Sequence, residues 1–117
     1  MSGSAPVYRP AGPTVALSVV ATSHAAVNLN VTANENANLV ALINPGAVAV
    51  AVRLGQAGDA ATLPVDGTPG DFILPPLMQQ ASFVPLPWNA QSPAKITAIG
   101  AAAGPTIIYA TPVVMQS

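Results

Sequence analysis

The stretch AVAVAVRL, residues 47–54, sets Val48, Val50, Val52 and Leu54 on one side of an extended chain and Ala47, Ala49, Ala51 and Arg53 on the other. Alanine by itself favours helix. Strict alternation has period 2, however, and a helix repeats every 3.6 residues, so this segment gathers its apolar side chains into one stripe only as a strand. The same period runs through residues 25–32, where Val27, Leu29 and Val31 point one way and Asn28 and Asn30 the other. It recurs in residues 14–21 with Val15, Leu17 and Val19. A chain written in this rhythm folds as sheet, and its small alanine face invites a close approach by another layer or another subunit.

Turn residues divide the rhythm into short pieces. ANENAN at residues 33–38 is a turn, because asparagine bonds its own backbone and tolerates left-handed conformations. Asn44-Pro45-Gly46 separates residues 38–44 from 47–54 and reads as the turn of a hairpin. Residues 56–70 form a long polar loop carrying Asp59 and Asp66, a length that in compact domains signals function or mobility. Short strands follow at 71–77 and 81–87, the second with an internal Pro85 that suits an edge. Residues 94–101 and 105–111 read as a second hairpin around a glycine turn. About eight short strands and no helix predict an all-β antiparallel sandwich or jelly roll.

Residues 1–13 hold three prolines, two glycines and two serines, and read as an extended N-terminal arm ahead of a domain spanning 14–117. Val7, Tyr8 and Arg9 are its candidate contacts with a neighbouring subunit, and deleting the arm is expected to leave the domain folded. Ala49, Ala51 and Arg53 are contact candidates on the alanine face. Trp88, the single tryptophan, is either a core plug or an interface anchor. Phe72 and Phe83 are expected in the core, and Tyr109 against the sheet.

Charge then narrows the function. Only 6% of residues are charged, where soluble domains average about 25%, and the net charge is -1. A nucleic-acid or anionic-membrane partner has no electrostatic footprint here. So little self-repulsion favours association, and a subunit covered by its neighbours tolerates such a surface best. No apolar run reaches the 18 residues of a membrane span, and the opening segment lacks the apolar region of a secretory signal, so synthesis in the cytoplasm is expected.

Catalytic chemistry finds few groups to work with. There is no cysteine and one histidine, so neither a disulfide nor a thiolate or multi-histidine metal site is expected from one chain. Ser23, His24 and Asp59 could in principle converge, but no nucleophile-elbow pattern accompanies them. Asp59, Asp66 and Asp71 lack the dense spacing of a calcium loop. No enzyme activity and no cofactor are expected.

The segments INPGAVAVAVRLG (43–55), AATLP (60–64), DFILPP (71–76) and KITAIGAAAGPTIIYATP (95–112) together resemble small structural proteins of tailed bacteriophages. The shared pattern is a strand ending at Asn–small–Gly, a strand closing on Arg–apolar–Gly, an acid–apolar–LPP step, and a final pair of strands ending in Thr–Pro. It covers roughly the last two-thirds of the chain. The resemblance implies a virion component, foremost a capsid decoration (cement) protein on a β-sandwich, with the major capsid protein or other virion proteins as partners. It carries no catalytic residues. Lattice symmetry adds the expectation of a homo-oligomer, a trimer first. A tail, neck or fibre-associated component is the alternative, and a carbohydrate-binding sandwich the second.

Overall fold

A computed structural model describes residues 7–32, 37–55, 59–86 and 94–116. The fold is all-β, with nine strands among the described residues, arranged as two antiparallel sheets facing one another. They are β1 (Val7–Pro10), β2 (Val15–Val19), β3 (Val27–Leu29), β4 (Leu39–Ile43), β5 (Val50–Gly55), β6 (Phe72–Leu74), β7 (Ser82–Pro85), β8 (Ala94–Gly100) and β9 (Thr106–Gln116). Sheet A has the order β1-β9-β4-β7, with β2 also paired to β9, and sheet B the order β3-β8-β5-β6.

The alternation seen in the sequence decides which residues enter the core. Leu17 and Val19, Val40 and Leu42, and Ile108 and Ala110 line the inner side of sheet A. Leu29, Val50, Val52, Leu74, Ala94, Ile96 and Ala98 line that of sheet B. Each Leu or Ile buried completely here contributes about 1.5–3 kcal/mol by leaving water. Phe83 pairs with Ala41 on the outer row and is 38% exposed, while Phe72 sits on the edge strand β6 at 51%. The expectation that these two fill the core is therefore corrected. Phe83 faces outward, whereas Phe72 has the inward phase opposite Val52 and stays half in solvent because β6 is the edge of its sheet.

Both expected hairpins are in fact crossings between sheets. β4 lies in sheet A and β5 in sheet B, and β8 and β9 divide the same way. Among consecutive strands only β5 and β6 pair directly. A turn sequence and the alternation around it are the same for a hairpin and for an arch. What differs is the corner. Asn44, with no exposed surface, donates from its side-chain amide to the carbonyls of Val48 (2.8 Å), Pro75 (3.2 Å) and Leu74 (3.4 Å). Its Oδ1 accepts from the Gly46 amide (3.2 Å) and the Thr106 hydroxyl (3.3 Å). These bonds tie the end of β4 to the far sheet and turn the chain across the core. Leu77, in the left-handed region at φ 58°, continues the corner by donating its amide to the Gly46 carbonyl.

Nor do residues 7–13 form a separate arm. β1 pairs in register with the end of β9, from Val7 opposite Gln116 to Pro10 opposite Val113. Ala11 is 1% exposed and belongs to the core cluster. Proline content suggested an arm, but prolines are tolerated on an edge strand, whose outer donors face no ladder. Deleting residues 1–13 removes a sheet edge and part of the core. Residues 1–6 lie outside the described residues.

Candidate functional site

Part of the outer side of sheet B is covered by the chain itself. The segment after Gly55, described from Asp59, returns over it. The Thr97 hydroxyl donates to the Asp59 carbonyl at 3.0 Å, and the Ala61 amide to the Ser23 hydroxyl at 3.0 Å. Asp71 accepts from the Thr62 amide at 2.7 Å and from its hydroxyl at 3.2 Å. Val65 and Thr68 exchange backbone bonds around Asp66-Gly67, where Gly67 supplies the positive φ of 78°. The long loop is thus a folded flap. Ala51 is fully buried yet is no member of the core cluster, and Thr97 is 2% exposed. On this side of sheet B the flap bonds to Arg53 and Thr97, while Ala51 lies between Ile73 and Ile99.

Arg53 fastens the flap. Its Nε donates to Asp71 at 3.1 Å, and its Nη1 lies 3.8 Å from Asp59. Burial would raise the Asp71 carboxyl, but the Thr62 amide, the Arg53 guanidinium and the Thr62 hydroxyl outweigh it and hold the group below its ordinary 3.8. A pKa lower in the folded than in the unfolded chain means that ionised Asp71 stabilises the fold at every pH above 3.8. That contribution disappears as the pH falls through the folded value. Asp71→Asn is expected to cost about 1–2 kcal/mol near pH 6, by loss of the charge-assisted bonds. The gap to the natural chain should close in thermal melts taken well below pH 3.8. An equal gap at both pH values would show that the charge is irrelevant.

The groups that might have formed a hydrolytic triad stand apart in role. His24 Nδ1 is 2.7 Å from the neighbouring Ala25 carbonyl, and the Ser23 hydroxyl serves the His24 carbonyl (3.4 Å) and Ala61, not the imidazole ring. Among the described residues no group of three or more His, Cys, Asp or Glu is placed to hold a metal. A cleft of about 360 Å³ opens at the sandwich edge between Val52, Leu54, Phe72 and Val84, with Arg53 and Asp71 at its mouth. Both of these side chains are already bonded to each other.

The outer side of sheet A has a different character. Register places its side chains in rows across the strands. One row holds Pro10, Val113, Leu39 and Pro85; the next Thr111, Ala41 and Phe83; the next Ala16, Tyr109 and Ile43; and the last Ser18 and Ile107. Tyr8 lies beyond the first row and stacks on Phe83, centroids 3.9 Å apart and planes 13° from parallel. Val113, in the row between, is 5% exposed although it is outside the core cluster. Thr14 and Thr111 share a hydroxyl bond of 2.6 Å. Ile107 is 46% exposed, and Tyr8, Phe83 and Tyr109 are 38–39%. No row contains a charged residue, whereas Arg53, Asp59, Asp66, Asp71 and Lys95 all lie on sheet B or its flap.

Of the contact candidates, Tyr8 is on this open face. Arg9 has the opposite parity on β1 and is half-buried, and the backbone of Val7 pairs with Gln116. Arg53 is engaged by the flap, Ala51 is fully buried between Ile73 and Ile99, and Ala49 is half-buried with its carbonyl bonded to the Ala101 amide at 2.9 Å. Trp88 and the Val7 side chain lie outside the described residues. The open face was missed because its members come from β1, β2, β4, β7 and β9, and only strand order brings them together. No protein-family model, no curated protein and no solved structure matches this chain.

Proposed function

We propose that the chain is a non-enzymatic structural subunit that works in many copies within a virion, first as a capsid decoration protein and otherwise in the tail or neck. The observation that carries this reading is the uncharged outer face of sheet A, with Ile107, Tyr109, Tyr8 and Phe83 all exposed. Large exposed apolar patches mark association surfaces, and tyrosine is enriched where such surfaces bind tightly. The phage-like segments point to the kind of assembly. A decoration protein stabilises a shell by binding its assembled form and not its loose subunits. Repetition over a lattice multiplies modest contacts through effective concentration. No ligand, cofactor or catalytic step enters this mechanism.

Gold-labelled antibody against the chain, applied to particles purified from its source, tests the reading. Label spread over heads is the expected result. Label confined to necks or tails would move the subunit there and end the decoration role. Particles without label would overturn the virion reading altogether.

A further inference from the structure

We infer that the outer face of sheet A pairs with the same face of a second copy about a two-fold axis. The inference rests on the reading of this chain as an assembling subunit and names the first partner of its apolar face. Three properties of the face support a second copy as the occupant.

Area is the first. β9, the central strand, has 11 residues, and the face is four strand positions wide. The flanking strands are shorter, β1 and β2 on one side of β9 and β4 and β7 on the other, with 4 or 5 residues each. At about 3.3 Å per residue and about 4.8 Å per strand the footprint is about 460 Å². That is above the roughly 400 Å² per partner of incidental contacts and below the roughly 800 Å² of a standard interface. Charge is the second. A two-fold axis sets a patch against itself, so a patch of either sign would meet its own sign. The outer rows of sheet A carry none; Arg9 on β1 has the inward parity, and Arg53, Asp59, Asp66, Asp71 and Lys95 lie on sheet B or its flap. Shape is the third. Tyr109 stands in the middle of the face, on β9, with Ala16 beside it in its own row and Ala41 in the next. Sheets pack face to face when protrusions on one meet low ground on the other. Under the two-fold, Tyr109 of each copy lies over the alanines of its mate. A flat face that is its own complement closes as a pair, and this replaces the trimer that lattice symmetry suggested.

Sedimentation equilibrium and light scattering on the full chain test the pair. The expected mass is twice the 11.6 kDa of one chain. Tyr109→Lys and Ile107→Lys should each weaken the dimer by about 100-fold or more, since either puts like charges together across the axis. Ala16→Arg places a charge on the same ground without removing a large apolar side chain, and decides the matter if the other variants fold poorly by circular dichroism. Ile73→Lys, on the exposed edge of sheet B at 38%, should leave the dimer unchanged. A monomer, a trimer, or a dimer indifferent to the three sheet A substitutions would overturn the inference. The two readings fail separately. A monomer that still labels particles would end the two-fold pair and assign the face to another virion protein. A dimer that labels no particle would uphold the pair and end the virion reading.

Discussion

Asn44→Ala is expected to lower the free energy of unfolding by about 3–5 kcal/mol, several times the cost of an ordinary surface change. The side chain is fully buried, and its two amide hydrogens serve three carbonyls, those of Val48, Leu74 and Pro75. Its oxygen receives the Gly46 amide and the Thr106 hydroxyl. Truncation leaves these partners in a dry corner, and each buried group without a bond costs about 1–3 kcal/mol. Water entering the space would recover part of that. Asn44→Asp should be worse than alanine at neutral pH, because an acceptor-only carboxylate would confront three carbonyl oxygens. Thr106→Val removes a single donor and should cost only about 1 kcal/mol. Its effect should largely vanish in the Asn44→Ala background, since the shared bond is already gone. Urea unfolding of the natural chain and the four variants measures all of this. A loss below about 1 kcal/mol for Asn44→Ala would show that the corner is held by packing and not by the amide.

The contrast with what the residues announce in advance is instructive. Val50 and Val52 face the core because alternation fixes side-chain direction before any partner is known, and the same holds for Leu17, Val19 and Leu29. Alternation says nothing about which strand lies next to which. β9 joins β1, β2 and β4 over sequence separations that no local signal encodes, and so the open face stayed hidden. Asn44 was legible as a turn residue and illegible as a buried one, because its partners on β6 and β9 come from across the fold. Ala51 is fully buried on the side of β5 away from the core. The flap beside it was not legible, since nothing in a polar, glycine-containing loop distinguishes a mobile excursion from a flap held by Arg53 and Thr97. Val40 and Leu42 illustrate the remaining difficulty. Their strand is apolar on both sides, because its outer residues Leu39, Ala41 and Ile43 belong to the uncharged face.

Gly12→Ala is expected to cost about 3 kcal/mol or more, by forcing apart the place where the two sheets are joined at their edge. Pro112 creates that place. It sits inside β9 opposite Ala11, where its carbonyl accepts the Ala11 amide at 2.8 Å. An ordinary residue there would return a bond from its own amide to the Ala11 carbonyl, but proline has no donor. The Ala11 carbonyl instead accepts the amide of Thr32 at 2.8 Å, which brings the segment after β3 from sheet B onto the edge of sheet A. This approach needs a residue without a side chain beside it. A Cβ on Gly12 would stand 2.1 Å from the Asn30 carbonyl oxygen and 3.2 Å from Pro112 Cγ. The first is backbone and the second a rigid ring, so neither can rotate away. Relief requires the segment after β3 to withdraw, and the bond from Thr32 opens with it. The variant should therefore combine a lower midpoint in urea with faster hydrogen exchange at the Thr32 amide. Gly104→Ala provides the comparison, because its Cβ would meet nothing within 4 Å, and its effect should stay within about 0.5 kcal/mol. Equal stability of the two variants would mean that the edge junction between the sheets is soft, and that the sandwich is held by its core alone.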